Sequence, residues 1–185
     1  LLCVLNNNNF LASSENDSKK LNVLFIIADD LNCDIGAYGN DQVQTPNIDR
    51  LAKEGTLFTD AYAACPVCSP TRASILTGKY PANIGITDWI DAGNHIHPAR
   101  GRLVDVPYLK QLPQTEFSLA RALKLGGYQT WHIGKWHLGG DGYLPQDHGF
   151  EKWDNFPKER DKILNMIKKY KDQTILFSGD RHRSG

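Results

Sequence analysis

The segment LNVLFIIA at residues 21–28 constrains the fold more than any other part of this chain. It is a nearly unbroken run of apolar, branched residues, the pattern of a strand buried on both faces of a parallel sheet. The run ends at two adjacent carboxylates, Asp29 and Asp30. Because ligands of open α/β sheets bind beyond the carboxyl ends of the strands, the sequence predicts a functional site at this pair.

The segment TPNIDRLAKEG carries the signals of a first helix. Thr45 is predicted to be the N-cap, Pro46 the first helical residue and Gly55 the residue beyond the end. The buried face of this helix is predicted to carry Ile48, Leu51 and Ala52.

Two further helices are expected later in the chain. One is predicted to start near Pro70 and to be stopped by Gly78 and Pro81. The other is predicted to be capped by Thr115 and to end at Gly126.

The remaining segments complete an alternating pattern. Residues 82–114 hold several prolines and glycines without a clear period, which predicts a long loop of the kind that often lines a site. The segment YQTWHIGKWHLGG predicts a strand that runs into a loop carrying Lys135 and His137. Strands that alternate with helices predict an α/β fold, doubly wound, with a mainly parallel sheet flanked by helices.

Charge and hydropathy exclude several classes of partner. Lys plus Arg and Asp plus Glu balance at 21 each, so we expect neither non-specific nucleic-acid binding nor a polybasic membrane surface. After residue 20 there is no apolar stretch of the roughly 20 residues that a membrane span needs. Residues 1–20 join a short apolar run to an asparagine-rich stretch, which predicts the remnant of a secretory signal and a disordered leader. This predicts a periplasmic or secreted protein, the alternative being a disordered terminus without an export role.

In the stretch CPVCSPTR two residues separate Cys65 from Cys68. It is compatible with a redox pair, with half of a zinc site, or with a single special cysteine. A zinc site needs a second ligand pair; the other cysteines do not supply one, and His132 and His137 supply only a weak one.

Cys68 is better explained alone. It lies just before Pro70, at the start of a predicted helix, where unpaired amides and the helix dipole stabilise negative charge. Arg72 follows one helical turn later, so that its guanidinium can return to the same place. This arrangement suits a nucleophile with an oxyanion clamp, although a buried structural cysteine is the simpler alternative.

The stretch CSPTRASILTG at residues 68–78 resembles the signature Cys-x-Pro-x-Arg, followed by Leu-Thr-Gly, of the type I sulfatases in the alkaline phosphatase superfamily. NVLFIIADDLNCDIGAYG resembles the first strand of that family with its metal-binding aspartates. GYQTWHIGKWHLG resembles its Gly-Lys-Trp-His element. The resemblance covers about residues 21–150 and implies an incomplete alkaline phosphatase/sulfatase-like fold.

The resemblance also implies roles for the matching residues. Asp29 and Asp30 would bind one divalent cation, expected to be Ca²⁺ because hard carboxylate oxygens suit it. A maturase that generates formylglycine would oxidise Cys68 to Cα-formylglycine, whose hydrate is a geminal diol. One hydroxyl of the diol would coordinate the metal and attack sulfur, and loss of the proton from the other would expel sulfate and restore the aldehyde.

Three polar side chains would assist this chemistry. Arg72 would steady the deprotonated nucleophile, Lys135 would hold a sulfate oxygen, and His137 would contact the diol or help it collapse. The expected substrate is a sulfate ester of an aryl or carbohydrate compound.

Beyond about residue 150 the sulfatase motifs stop. The later metal ligands of the family, a further histidine and a second lysine have no match. Residues 151–185 predict a helix after Pro157 and the strand TILFSGD, which resembles the end of a metal-binding strand in alkaline phosphatase D-type metallophosphatases. Gly179, Asp180 and His182 carry this likeness, and Asp180 and His182 are weaker metal-ligand candidates; the alternative is an ordinary helix–strand unit.

Three functional hypotheses follow. The first is a sulfuric ester hydrolase, expected to be truncated. The second is a non-catalytic sulfatase remnant or chimera, whose hydrolysis of an aryl sulfate would not exceed that of a Cys68→Ala variant. The third is a phosphate or phosphonate monoester hydrolase built on the same Cys-x-Pro-x-Arg element.

Overall fold

The computed structural model describes residues 21–90 and 106–154, with the backbone alone for 152–154. The chain divides into two compact units, one of Leu1–Tyr62 with Phe156–Gly185 and one of Ala63–Asn155. The described elements are helices α1 (Pro46–Glu54), α2 (Cys68–Thr77), α3 (Pro81–Ile84) and α4 (Leu119–Leu125) and strands β1 (Trp131–Ile133) and β2 (Lys152–Asp154). The leader at 1–20, residues 91–105 of the loop 82–114, and the tail helix and strand lie outside the described residues.

The prediction of a strand at residues 21–28 is wrong, because this segment forms no strand in the described structure. Its apolar side chains are also not buried on both faces, since Leu21, Val23 and Ile26 are 67%, 49% and 45% exposed. A buried strand needs ladder partners and covering side chains, and the described part of the first unit, residues 21–62, supplies no strand to pair with it.

Helix α1 has the predicted ends, with Pro46 first and Gly55 as the C-cap. Thr45 is the N-cap residue, but its hydroxyl does not cap the helix. The hydroxyl donates to Asp49 Oδ1 at 2.7 Å and accepts from the Gly36 amide at 2.9 Å, which ties the 3-10 turn Gly36–Tyr38 to α1.

The buried face predicted for α1 is also wrong. None of its residues is buried, and Leu51 is 42% exposed. The reason is that α1 packs against the three-residue turn before it, and a short turn covers only part of an apolar helix face. Ile48 and Ala52 are consequently half-buried.

In the second unit, α2 starts at Cys68, two residues before the predicted start at Pro70, and ends as predicted at Gly78. Gly78 has φ +70°, a left-handed conformation that glycine adopts without steric cost. The short helix α3 then interrupts the region 82–114 that was predicted to be a loop, because Pro81 begins a turn that Gly85 ends.

Helix α4 ends at Gly126 as predicted, but its N-cap is Ser118 and not Thr115. The Ser118 hydroxyl accepts from the Arg121 amide at 3.1 Å, which satisfies one of the unpaired donors of the first turn. Thr115 lies in a preceding turn that the Glu116 amide closes onto the Pro113 carbonyl at 3.0 Å. The residue that can reach the third amide of the helix is therefore Ser118.

The predicted strand before Lys135 is confirmed. It is β1, and it pairs in parallel with β2 in the register Trp131↔Lys152, His132↔Trp153 and Ile133↔Asp154. Helices α2, α3 and α4 and the segment after β1 enclose one core, made of Ala73, Leu76, Ile84, Ile86, Leu112, Ala120, Trp136, Leu138 and Phe150. Across the described ranges, no helix is long and apolar enough to cross a bilayer.

Candidate active site

Cys68 is the first residue of α2 and is half-buried. The preceding Val67 makes no side-chain capping bond, so the amides of the first turn remain directed toward the start of the helix. The Thr71 hydroxyl donates to the Cys65 carbonyl at 2.5 Å and thereby fixes the turn that leads into Cys68. The thiols of Cys33, Cys65 and Cys68 are all free.

Lys135 brings a cation to this cysteine from the segment that follows β1. Its Nζ donates to Cys68 Sγ at 3.4 Å, across 67 residues of sequence. A cation this close stabilises negative charge on whatever group occupies the end of the residue-68 side chain. The two residues that the sequence motifs assigned to one site therefore meet in the structure.

Arg72 is almost fully buried, with 6% of its surface exposed. Its Nη1 donates to the Lys135 carbonyl at 2.8 Å. The guanidinium thus holds the backbone of the segment that delivers the Lys135 ammonium to Cys68. Direct stabilisation of the nucleophile by Arg72 stays a prediction.

His137 lies two residues beyond Lys135 in a left-handed conformation, with φ +58°. Its Nε2 lies 2.5 Å from the Ile90 carbonyl oxygen. Since a carbonyl can only accept, Nε2 carries the proton of this bond. The His137 ring also makes a T-shaped contact with Trp89, with ring centroids 5.9 Å apart and an interplanar angle of 77°.

Two residues at this site were missed by the sequence reasoning. The Ile90 amide donates to Ser69 Oγ at 3.1 Å, and Ser69 is fully buried next to Cys68. Ile90 acts here through its backbone, which leaves no signal in the sequence. Ser69 stands at the variable position of the Cys-x-Pro-x-Arg element, where the motif alone assigns no role.

His132, to which the sequence assigned no role, lies beneath the same segment. Burial, and secondarily the charge of Arg72, lowers its pKa to about 4, partly offset by backbone hydrogen bonds at Lys135 and Gly134. Its ring packs edge-on against Trp136 with centroids 5.2 Å apart. His132 is therefore neutral at physiological pH and supports the Lys135 segment from inside the core.

The carboxylate pair belongs to the first unit and lies in a turn. Asp29 is half-buried, and Asp30 is exposed with φ +56°. Their oxygens have the chemistry that Ca²⁺ prefers, but two carboxylates do not complete a shell of 6 to 8 oxygens. Within 21–90 and 106–154 no group of three or more His, Cys, Asp or Glu side chains could hold a metal. The weaker candidates Asp180 and His182 lie outside the described residues.

A family model described as Sulfatase matches residues 21–177, which is most of the chain. Human steryl-sulfatase is 43% identical over 119 residues, covering 64% of this chain and 19% of that protein. Pig N-acetylgalactosamine-6-sulfatase is 39% identical over 138 residues, covering 74% of this chain and 25% of that protein. The chain belongs to the sulfatase family, and the predicted type I sulfatase relationship is confirmed.

Solved structures agree with this assignment. Ps i-CgsB in complex with k-i-k-neocarrahexaose is 34% identical with a TM-score of 0.59, covering 82% of this chain and 33% of that chain. A protein solved with its substrate D-glucosamine-2-N,6-O-disulfate is 25% identical with a TM-score of 0.64, covering 89% of this chain and 35% of that chain. These likenesses confirm the predicted α/β, alkaline phosphatase-like fold class.

The chain matches only part of the length of each relative. It spans about a fifth to a quarter of the curated relatives named above. The family match runs past residue 150, to residue 177. The domain boundary at 150 and the phosphatase-like origin of residues 151–185 stay predictions.

Proposed function

We propose that this chain carries the nucleophile side of a sulfuric ester hydrolase and that Cys68 functions as formylglycine. The observation that carries the proposal is the 3.4 Å contact between Lys135 Nζ and Cys68 Sγ at the first residue of α2. It joins two separate sulfatase-like motifs at one point. A cation and a helix N-terminus converge there, as anionic sulfate requires.

The chemistry needs more than a nucleophile. A thiolate that attacked the sulfur of a sulfate ester would release the alcohol but retain the sulfuryl group as an S-sulfonate. The hydrate of formylglycine attacks with one hydroxyl and also releases the alcohol. Its second hydroxyl then loses a proton, the C–O bond to sulfate breaks, and the aldehyde is restored for hydration by water.

The neighbouring side chains have distinct tasks in this proposal. The Lys135 ammonium binds a sulfate oxygen and offsets the negative charge that develops on sulfur oxygens. Arg72 keeps that ammonium in place through the Lys135 carbonyl. His137, with its proton on Nε2 held by Ile90, presents Nδ1 as the atom that can accept a proton from the diol.

Asp29 and Asp30 are the residues we propose to hold a divalent cation, Ca²⁺ in the first instance. The bound cation would supply Lewis acidity and lower the pKa of a coordinated hydroxyl. The support is the donor chemistry of the pair and its match to the metal-binding aspartates of the family.

The proposed substrate is a sulfate monoester of an aryl or carbohydrate alcohol, and the proposed partner is a formylglycine-generating maturase. Human steryl-sulfatase and pig N-acetylgalactosamine-6-sulfatase, both similar to this chain, are named for substrates of different kinds, so we propose the ester class and not one compound. We also propose a periplasmic or secreted location, supported by the signal-like composition of residues 1–20.

Expression with and without a formylglycine-generating enzyme tests this proposal. Hydrazide labelling and peptide mass spectrometry should find an aldehyde at residue 68 in the wild type and in Cys65→Ala, and none in Cys68→Ala. Cys65→Ala is the matched control because it removes the neighbouring thiol of the same motif. Finding only the thiol at residue 68 in the presence of the maturase would contradict the proposed modification.

Sulfate release from an aryl sulfate and from a sulfated monosaccharide tests the hydrolysis itself. We expect release that depends on Cys68 and falls about 10²–10³-fold in Lys135→Met, which removes the charge and keeps most of the side-chain length. Equal release by the wild type and Cys68→Ala would contradict the proposal and favour the non-catalytic alternative.

A further inference from the structure

A buried hydroxyl next to the proposed nucleophile is linked to His137 by two consecutive hydrogen bonds. Ser69 is fully buried, and its Oγ accepts from the Ile90 amide at 3.1 Å. The carbonyl of the same residue, Ile90, lies 2.5 Å from Nε2 of His137. Both polar groups of Ile90 are thus used, one toward α2 and one toward the histidine.

We propose that Ser69 is a positioning residue for His137, acting through the Ile90 backbone to fix the orientation and the tautomer of the imidazole. This inference rests on the proposed function, in which His137 exchanges a proton with the group at residue 68. It extends that function by giving a task to the variable residue of the Cys-x-Pro-x-Arg element.

The surroundings of Ile90 support a rigid link. The preceding carbonyl, of Trp89, accepts from the Tyr108 hydroxyl at 2.6 Å, and the Trp89 ring makes a T-shaped contact with His137. The segment is therefore held from three directions by Ser69, Tyr108 and His137. Without the Ser69 hydroxyl the amide of the half-buried Ile90 would lose its partner, which favours a shift of the segment over an unpaired donor.

The backbone conformation of His137 explains why the link from Ser69 through Ile90 matters. A non-glycine residue at φ +58° is in a sparsely populated region that persists only where the surroundings over-determine it. The Nε2 bond to Ile90 is one of those determinants. It also selects the tautomer, because the carbonyl of Ile90 can only accept.

The test compares Ser69→Ala with Ser74→Ala in the full chain. Ser74 lies on the same helix and has a buried hydroxyl with no hydrogen-bond partner, so it controls for loss of a serine from α2. Long-range ¹H–¹⁵N NMR of the histidine rings reads the tautomer of His137 without any need for activity. We expect one Nε2–H tautomer in the wild type and in Ser74→Ala, and a mixture in Ser69→Ala.

Rescue and folding are addressed by two further variants. Ser69→Thr keeps the accepting oxygen and should restore the wild-type His137 spectrum. If Ser69→Ala does not fold, Ser69→Cys keeps an atom at the γ position but accepts weakly, and should give the mixed tautomers. An unchanged His137 ring spectrum in Ser69→Ala, or in Ser69→Cys where that variant is used, would overturn the proposal.

A kinetic experiment distinguishes failure of this inference from failure of the proposed function. In the matured protein, Ser69→Ala should lower kcat by up to about 100-fold with little change in KM, and should add no loss in a His137→Ala background. An equal loss of kcat on Ser69→Ala with His137 present and in the His137→Ala background would overturn the positioning role. If sulfate release is independent of Cys68, the proposed function fails, while the NMR result still decides whether Ser69 positions His137.

Discussion

The two units of this chain hold their functional side chains in different ways. In the second unit, Cys68, Arg72 and Lys135 are joined to one another and to a core of nine buried apolar residues. In the described part of the first unit, residues 21–62, the only buried hydrophobic residue is Ile35. The groups proposed to handle sulfate are therefore preorganised by packing, whereas the carboxylates proposed to bind the cation lie on a turn.

This difference has consequences for catalysis and for stability. Preorganised donors and cations stabilise a transition state without reorganising at the moment of reaction, which suits the Lys135 side of the site. The carboxylate pair lies on a turn in residues 21–62, where little buried apolar packing supports it. Substitutions in the core of the second unit should consequently reach the site, and substitutions in α1 should not.

The largest effect is expected from truncating the core. Leu112 is fully buried, and its amide donates to the Leu138 carbonyl at 2.8 Å, one residue beyond His137. Leu112→Ala should lower the free energy of unfolding by about 2–5 kcal/mol. Leu51→Ala on α1, where the side chain is 42% exposed, is the matched control and should cost less than about 1 kcal/mol. Denaturant unfolding of both variants measures the difference. Equal losses of free energy of unfolding would contradict the stronger packing of the second unit.

The second effect is a loss of stability at low pH, on the order of 3 kcal/mol in the free energy of unfolding. Burial lowers the pKa of His132 to about 4 from the 6.5 of an unfolded chain. The unfolded state therefore binds this proton first as pH falls, so that stability is complete above about pH 6.5 and is lost progressively down to about pH 4. Burial and the charge of Arg121 also lower the pKa of His148, against the opposing charge of Asp147, and add to the loss in the same direction.

The contribution of His132 is isolated by comparing how steeply the free energy of unfolding varies with pH in two proteins. His132→Asn removes the titrating ring, so its free energy of unfolding should vary less steeply than that of the wild type between pH 6.5 and 4. The comparison uses the shape of the curve, which a uniform loss of packing does not alter. Parallel curves for the two proteins would show that His132 is not held neutral in the folded state.

The smallest effect on stability is expected at the carboxylate pair. Asp29→Asn/Asp30→Asn should change the free energy of unfolding without metal by less than about 0.5 kcal/mol, yet abolish Ca²⁺ binding, which we expect to be weak, with Kd about 10⁻⁴–10⁻³ M or poorer. Asp41→Asn, an exposed carboxylate in the same unit, is the control for charge alone. Calorimetry that found submicromolar binding would point to missed ligands, with Asp180 and His182 examined first.

Local signals in the sequence predicted much of the helical structure. Pro46, Gly55, Gly78 and Gly126 mark helix ends where they were expected, because the backbone requirements of proline and glycine are local. The choice of Ser118 over Thr115 as N-cap depends on which hydroxyl reaches the third amide, and that is set by the turn before α4.

The candidate site was predictable only where side chains carry the chemistry. The contact between Cys68 and Lys135 joins two recognisable motifs. The link from Ser69 to His137 runs through the backbone of Ile90, and any residue except proline there could supply the same amide and carbonyl. The run at 21–28 failed as a strand because burial depends on partners, which a local pattern does not supply.

We infer that one packed unit holds Cys68, the Lys135 segment and His137 together. Amide hydrogen exchange of the wild type and of Leu112→Ala tests this inference. Residues 69–77 and 130–138 should be the slowest to exchange among the described segments, well below the rate of 47–54, and should accelerate together in Leu112→Ala. Rapid exchange of 130–138 in the wild type, or acceleration of one of the two segments without the other, would show that the two segments do not belong to one packed unit.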